Sequence, residues 1–165
     1  DADALLSGYS RAYPTVVKPM LQLIVMAKGI SRVAATNVMN TSRGPIFISD
    51  TSINIDPSAK DLAKIAQLTA GVVRLFGLEP VMAMLSYANF GSSDHPQARK
   101  VKDAVSYLHR YHPNLLVDGE LQSDFALNKE MLQKKFPFSK LAGKKVNTLI
   151  YPNLDSANSA YKLIK

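Results

Sequence analysis

The residues of this sequence that are able to do chemistry collect in three short polar stretches, each placed after an apolar run. They are Ser86-Tyr87-Ala88-Asn89-Phe90-Gly91-Ser92-Ser93-Asp94, Asp118-Gly119-Glu120, and Pro152-Asn153-Leu154-Asp155-Ser156. Gly91-Ser92-Ser93-Asp94 leads into a helix at His95-Pro96, and free amides with small hydroxyls at a helix start suit a phosphate or carboxylate. N-capping by Ser or Asp is the competing reading, although a loop of nine residues is long for capping alone. Asp118, Glu120, Asp124 and Asp155 offer carboxylates for acid–base work or Mg²⁺, but none has a metal-loop spacing, and cap or turn roles are favoured. His109 and His112 lie three apart on a helix; zinc would need further ligands, and the only other histidine is His95, so both read as surface residues and no metal site is expected. Lys134, Lys135, Lys140, Lys144 and Lys145 form a basic stretch that is either solvated or attractive to a ligand phosphate. There is no GxGxxG, no phosphate loop ending in Lys-Ser/Thr and no GxSxG elbow.

The background against which these stretches sit is ordinary. The 165 residues make about one domain, and 47% hydrophobic with 20% charged residues is the balance of a soluble globular protein. No apolar run approaches the roughly 18 residues of a membrane span, so no membrane partner is expected. The absence of cysteine excludes disulfides, a thiolate nucleophile and Cys-based zinc sites and fits the cytoplasm. Asp1-Ala2-Asp3-Ala4 has no initiator Met and no signal pattern, and reads as a cut or processed boundary. The net charge of +7 fits either an anionic partner or a solvated basic face. Basic residues are not interleaved with aromatics, so nucleic acid is not an expected partner.

Periodicity supplies the elements that must position the polar stretches. A helix is expected from Pro14, with Val17, Met20, Leu21 and Ile24 on one stripe and a kink or late start at Pro19. Arg32–Met39 and Pro45–Ile48 flank turn residues 40–44 and read as a hairpin. Asp50–Pro57 is a polar connection. Pro57-Ser58 opens a long helix that buries Leu62, Ile65, Ala66, Thr69, Val72, Val73 and Phe76 and ends at Gly77. Val81–Leu85 is unbroken apolar sequence, as in a strand covered on both faces. A helix over Pro96–Tyr111 with Val101, Ala104, Val105 and Leu108 inward follows. Then come a strand at Leu115-Leu116-Val117 ending in Asp118-Gly119, a helix over 121–135, a strand over Val146–Tyr151 and a last helix from Asp155 carrying Ala157, Ala160, Tyr161 and Ile164. Alternating strands and helices predict an α/β three-layer α/β/α sandwich, its sheet mostly parallel with an antiparallel edge hairpin. In such a sheet the three polar stretches share the carboxyl edge, where open α/β sheets bind ligands.

At those same stretches the sequence resembles the phosphate acetyl/butyryltransferase (phosphotransacetylase) family. Val81-Met82-Ala83-Met84-Leu85-Ser86-Tyr87 matches that family's strand and its Ser-Tyr/Phe-Ser loop entry. Val117-Asp118-Gly119-Glu120-Leu121-Gln122-Ser123-Asp124 matches its Asp-Gly-Glu-Leu-Gln-x-Asp segment. Tyr151-Pro152-Asn153-Leu154-Asp155-Ser156-Ala157-Asn158 through Tyr161-Lys162 matches its Phe-Pro-Asp-Leu-Asn-x-Gly-Asn-x-x-Tyr-Lys segment. Ser7-Gly8 through Lys18-Pro19 and Leu21-Gln22 match its start. The likeness covers nearly the whole chain in order. Asn89–Pro96 and Phe136-Pro137-Phe138-Ser139 look like the version fused to NADP-dependent malic enzymes. Several positions depart from the pattern. Arg11-Ala12-Tyr13-Pro14 stands where the enzymes carry His and Ser/Thr. Lys18 replaces an Arg that helps hold CoA, which keeps the charge but not the bidentate fork. Ala88 replaces a Ser and Ala157 a Gly.

The resemblance implies the isocitrate/isopropylmalate dehydrogenase-like fold, with residues 1–165 as a single second lobe of a two-lobed domain and a ligand cleft between the lobes. It assigns CoA or acyl-phosphate contacts to Ser10, Arg11, Lys18, Ser86, Asn89, Phe90, Gly91, Ser92, Ser93, Asp118, Gln122, Asn153, Asp155, Asn158 and Lys162. In the enzymes a Ser-Arg-Gly…Asp segment that handles the CoA thiol and acyl phosphate follows this region and is not reached by Lys165, so no catalytic residue is expected and the isolated domain is expected to be inactive. The implied function is regulatory. Acetyl-CoA or CoA would act as an allosteric effector on a cytoplasmic malic enzyme that oxidatively decarboxylates malate to pyruvate. NADP and a divalent metal would sit in the malic-enzyme portion, and this lobe would contribute a homodimer contact. The alternatives are a fragment of a phosphate acetyltransferase moving acetyl between CoA and phosphate, and a purely structural or dimerisation domain.

Overall fold

The computed structural model describes residues 5–7, 10, 12–24, 26 and 30–165, with Pro14 by its backbone alone. The chain forms two compact units, Asp1–Ser31 and Arg32–Lys165. In the first, α1 spans Tyr13–Leu23 and continues through Pro19, with Ile24 as its C-cap. The helix expected from Pro14 is therefore present, and it does not start late at Pro19.

The second unit is built on a five-stranded sheet of β1 (Thr36–Thr41), β2 (Gly44–Ser49), β3 (Val81–Leu85), β4 (Leu116–Leu121) and β5 (Thr148–Ile150), in the order β1-β2-β5-β3-β4. β1 and β2 are the antiparallel hairpin; β2, β5, β3 and β4 run parallel. The helices are α2 (Ala59–Leu75), α3 (Pro96–Tyr111), α4 (Ser123–Leu127), α5 (Lys129–Lys135) and α6 (Leu154–Ile164).

Strand alternation divides the core into two faces. Met82 and Met84 of β3 pack with Leu62, Ile65 and Ala66 of α2 and Val101, Val105 and Leu108 of α3. Ala83 and Leu85, on the other side of the same strand, pack with Leu121, Ala126, Leu132 and Leu141. A strand buried on both faces has no polar side to show, so β3 reads as one apolar run. The result is the three-layer sandwich expected from the sequence.

Four local expectations are corrected. The helix over 121–135 is two helices: Leu121 is still strand, and Asn128 both ends α4 and caps α5, its Oδ1 accepting the Met131 N–H at 3.0 Å. Asp118-Gly119-Glu120 lies inside β4 and is not a loop. Phe76 falls beyond α2 and is 57% exposed, although its ring meets Phe47 edge-on at 5.3 Å. His109 is half-buried rather than superficial, its Nε2 lying 2.8 Å from the Val117 carbonyl at the sheet edge.

Gly119 is needed where it stands because β4 passes very close to β3. Its φ is +146°, and an added Cβ would lie 2.4 Å from the Met84 carbonyl oxygen. Gly119→Ala is expected to cost about 3 kcal/mol or more, read as a lowered urea midpoint. α2 is held by a capping box. Ser58 Oγ accepts the Asp61 N–H and the Asp61 carboxylate accepts the Ser58 N–H, while Arg32 adds two bonds to that carboxylate at 2.7 and 2.9 Å. Burial raises the Asp61 pKa, but the Ser58 and Arg32 bonds outweigh it and leave it below the ordinary carboxylate value of 3.8. A depressed carboxylate stabilises above its unfolded pKa and loses that contribution as pH falls through its folded value. The stability gap between wild type and Asp61→Asn should therefore shrink between about pH 5 and about pH 3, as followed by urea titration across that range.

Candidate functional site

The carboxyl ends of β5, β3 and β4 lie side by side, because these strands are parallel neighbours. A cleft of about 370 Å³ opens at that rim, lined by Ser86, Tyr87, His95, Gln97, Pro152 and Asn153. One wall is the β3–α3 loop and the start of α3, and the other is the start of α6.

The β3–α3 loop is tied to β4 and its continuation. Phe90 N–H donates to the Glu120 carbonyl at 2.8 Å, and Gly91 N–H donates to Glu120 Oε1. Asn89 and Gln122 exchange bonds of 2.6 and 2.8 Å, and Gln122 Nε2 donates to the Tyr87 carbonyl at 2.7 Å. Ser92 Oγ accepts the Asn89 N–H, and Ser93 Oγ lies 2.9 Å from the Tyr87 hydroxyl. Phe90 and Gly91 adopt positive φ of 44° and 85°. For Phe90 that conformation costs about 1–2 kcal/mol, and the packing of its ring at 5.0 Å from both Phe136 and Phe138 offsets it. Glu120 is buried, and its Oε2 has no hydrogen-bond partner among the described residues.

The α6 wall is positioned from β2. Asp50, 3% exposed, accepts the N–H groups of Ala35, Ser52, Ile53 and Asn54 at 2.8–3.2 Å, and the Asn54 side-chain amide as well. This folds the connection after β2 into a shape that offers two carbonyls to α6. Leu154 N–H donates to Ile55 O at 3.0 Å, and Asn158 Nδ2 donates to Thr51 O at 3.0 Å. Burial raises the phenol of Tyr151, just before this wall, above its ordinary value of 10.0, so it stays protonated at neutral pH.

Of the residues singled out in the sequence, Ser86 and Asn153 line the cleft. Asn89, Gly91, Ser92 and Ser93 build the loop beside it, Gln122 is bonded to that loop from just beyond β4, and Phe90 turns its ring onto Phe136 and Phe138. Asp118 is buried within β4. Its carboxylate accepts Ser139 Oγ and Lys140 N–H, each at 2.8 Å, with His109 Nε2 at 3.8 Å. Asp155 and Lys162 are exposed on α6, and Asn158 faces the Asp50 connection. Ser10 and Lys18 belong to the first unit, Lys18 on α1; Arg11 lies outside the described residues. Among the described residues no group of three or more His, Asp or Glu could hold a metal, and no helix is long and apolar enough to cross a membrane.

One local expectation is corrected, the Ser or Asp cap of α3. The first turn of α3 has no free amide to offer an anion. Pro96 has none, the Gln97 N–H is taken by His95 Nδ1 at 3.3 Å, and Ala98 and Arg99 donate to the His95 carbonyl at 3.0 Å. The cap is His95 rather than Ser or Asp. Sequence reasoning passed over His95 and Gln97 as cleft residues and Asp50 as the organiser of the far wall. Pro96 was a usable signal for His95, since a proline at the first helical position makes the preceding residue the cap.

A family model described as "Phosphate acetyl/butaryl transferase" matches residues 1–165. The chain is 34% identical over 164 residues to an NADP-dependent malic enzyme of Haemophilus influenzae, covering 99% of this chain and 22% of that protein. It is 35% identical over 162 residues to a phosphate acetyltransferase of Bacillus subtilis, covering 98% of this chain and 50% of that protein. Among solved structures, a phosphotransacetylase from Streptococcus pyogenes superposes with a TM-score of 0.87 at 38% identity, over 94% of this chain and 48% of that one. The chain thus spans between about a fifth and a half of these relatives.

Asp50→Ala is expected to cost about 3–4 kcal/mol, because buried N–H groups lose a charged acceptor. Asp50→Asn should cost nearly as much, since its NH₂ would face other donors. Urea denaturation of the three proteins checks this, and a loss below about 1 kcal/mol for Asp50→Ala would deny Asp50 that organising role.

Proposed function

Because this chain belongs to the phosphate acetyl/butaryl transferase family, whose domain is shared by malic enzymes and phosphate acetyltransferases, we propose that it is a regulatory acyl-CoA-binding lobe of an NADP-dependent malic enzyme. Acetyl-CoA binds at the carboxyl rim of the sheet and biases a separate malic-enzyme domain by binding two states of the protein unequally. NADP and a divalent metal serve the malic-enzyme portion in the cytoplasm, and this lobe contributes to a homodimer.

The supporting observation is the cleft itself. It lies at the edge where parallel α/β sheets take ligands, and the wall residues are Ser86, Tyr87, His95, Gln97, Pro152 and Asn153. No carboxylate is among them, and His95 Nδ1 is engaged in the α3 cap. These groups offer hydroxyl, amide and imidazole contacts to an acyl-CoA, and a carboxylate base for the CoA thiol is not among them. The 35% identity to the Bacillus subtilis phosphate acetyltransferase supports the second reading, a fragment of an acyltransferase whose remaining catalytic groups lie in other sequence.

Two measurements on the full-length protein separate the readings. Calorimetry with acetyl-CoA should give saturable heat, and the malate oxidation curve should move when acetyl-CoA is added. Formation of acetyl phosphate from acetyl-CoA and inorganic phosphate would instead establish the acyltransferase, and no heat at about millimolar ligand, a free energy of about −4 kcal/mol, would remove the ligand reading altogether.

A further inference from the structure

Both walls of the cleft begin helices, and each helix is capped by a residue that lines the cleft. His95 caps the 16-residue α3 by accepting the Gln97 N–H on Nδ1. Asn153 caps the 11-residue α6 by accepting the Ser156 N–H on Oδ1 at 3.0 Å. Each cap fixes the character of the atoms left over. An imidazole nitrogen that accepts carries no proton, so the proton of neutral His95 sits on Nε2. An amide that turns its oxygen toward the helix turns its NH₂ the other way. Among the described residues neither His95 Nε2 nor Asn153 Nδ2 has a hydrogen-bond partner. With the acceptor of each side chain committed to its helix, only a donor remains for the cleft, and the two helix N-termini add positive potential on both sides.

We propose that His95 Nε2–H and Asn153 Nδ2–H₂ form a donor pair, one from each wall, that receives an oxygen-acceptor group of the cleft ligand. This rests on the reading of the cleft as an acyl-CoA site and names the group seated between the walls as a phosphoryl or carbonyl oxygen.

The test uses two substitutions that keep each cap and remove its donor. His95→Ser retains a cap acceptor and withdraws the distal N–H; Asn153→Asp retains the cap oxygen and replaces the NH₂ with an acceptor. Calorimetry is run on the full-length protein and both variants with acetyl-CoA, CoA, acetyl phosphate and inorganic phosphate, and thermal melts accompany each titration. Both variants should melt near wild type and bind about tenfold more weakly, the cost of one good hydrogen bond. Weakening with acetyl-CoA and CoA alone assigns the acceptor to the CoA moiety, and weakening with acetyl-CoA but not CoA assigns it to the thioester carbonyl. Weakening with acetyl phosphate or inorganic phosphate assigns it to a phosphoryl group. Wild-type affinity in either variant overturns the pair while leaving the acyl-CoA reading intact. If the wild-type protein binds none of the four, that reading and the donor pair fall together. Should His95→Ser melt early, Asn153→Asp alone decides, with the same two outcomes.

Discussion

The buried carboxylate of Asp50 is the constraint on which the ligand rim depends. Five N–H donors from Ala35, Ser52, Ile53 and Asn54 converge on its two oxygens. Bonds to a charged acceptor stabilise by about 1.5–3 kcal/mol each against the unmade bond, so the segment after β2 has one strongly preferred shape. That shape leaves Thr51 and Ile55 carbonyls facing α6, which they hold through Asn158 and Leu154. Asn153 consequently stands at a fixed place on the cleft wall. The opposite wall is held in a different way, by the Asn89–Gln122 exchange and by Glu120 accepting from Phe90 and Gly91. Both walls are thus set by local polar bonding on a rigid parallel sheet, and neither depends on a long flexible side chain.

The sequence disclosed most of the sheet because its physics is periodic. Val81–Leu85 was readable as a strand because both of its faces are buried, and α3 matched its expected bounds of Pro96–Tyr111 because a proline marks its start and its buried stripe is regular. The break at Asn128 was not readable: Phe125, Ala126 and Leu132 all feed the same core cluster, so the apolar stripe continues across two separate helices. Asp118-Gly119-Glu120 was misread for a related reason. Asp-Gly is ordinary turn chemistry, but here the glycine answers a close approach of two strands, which is a tertiary fact with no local signature.

The site was legible as a place but only partly as a set of residues. Strand order and the polar stretches located the rim, and Ser86 and Asn153 were on it. Asp118 shows the limit of reading chemistry from residue type. A carboxylate beside a glycine in a conspicuous motif looks available for catalysis, yet both of its oxygens are engaged, by Ser139, Lys140 and its neighbour Gly119. Asp50 shows the converse, since a residue in an unremarkable polar connection gathers more hydrogen bonds than any motif residue. Sequence identifies which groups can act, whereas partners decide which are still free to act.

That distinction bears on how helix starts recognise anions. A helix N-terminus attracts negative charge through its unbonded amides, but those amides are the same groups that a good cap satisfies. In α3 the proline, the His95 ring and the His95 carbonyl leave no first-turn amide over, so the two uses exclude one another at the level of the backbone. They are compatible at the level of the side chain. A cap residue with one acceptor and one donor, as histidine and asparagine both have, closes the helix with the first and faces outward with the second. Serine and aspartate can cap as well but do not fix an outward donor in this way. The choice of His95 and Asn153 over the commoner caps is therefore a choice about what the cleft presents, and it gives the rim a donor surface without any lysine or arginine among its wall residues.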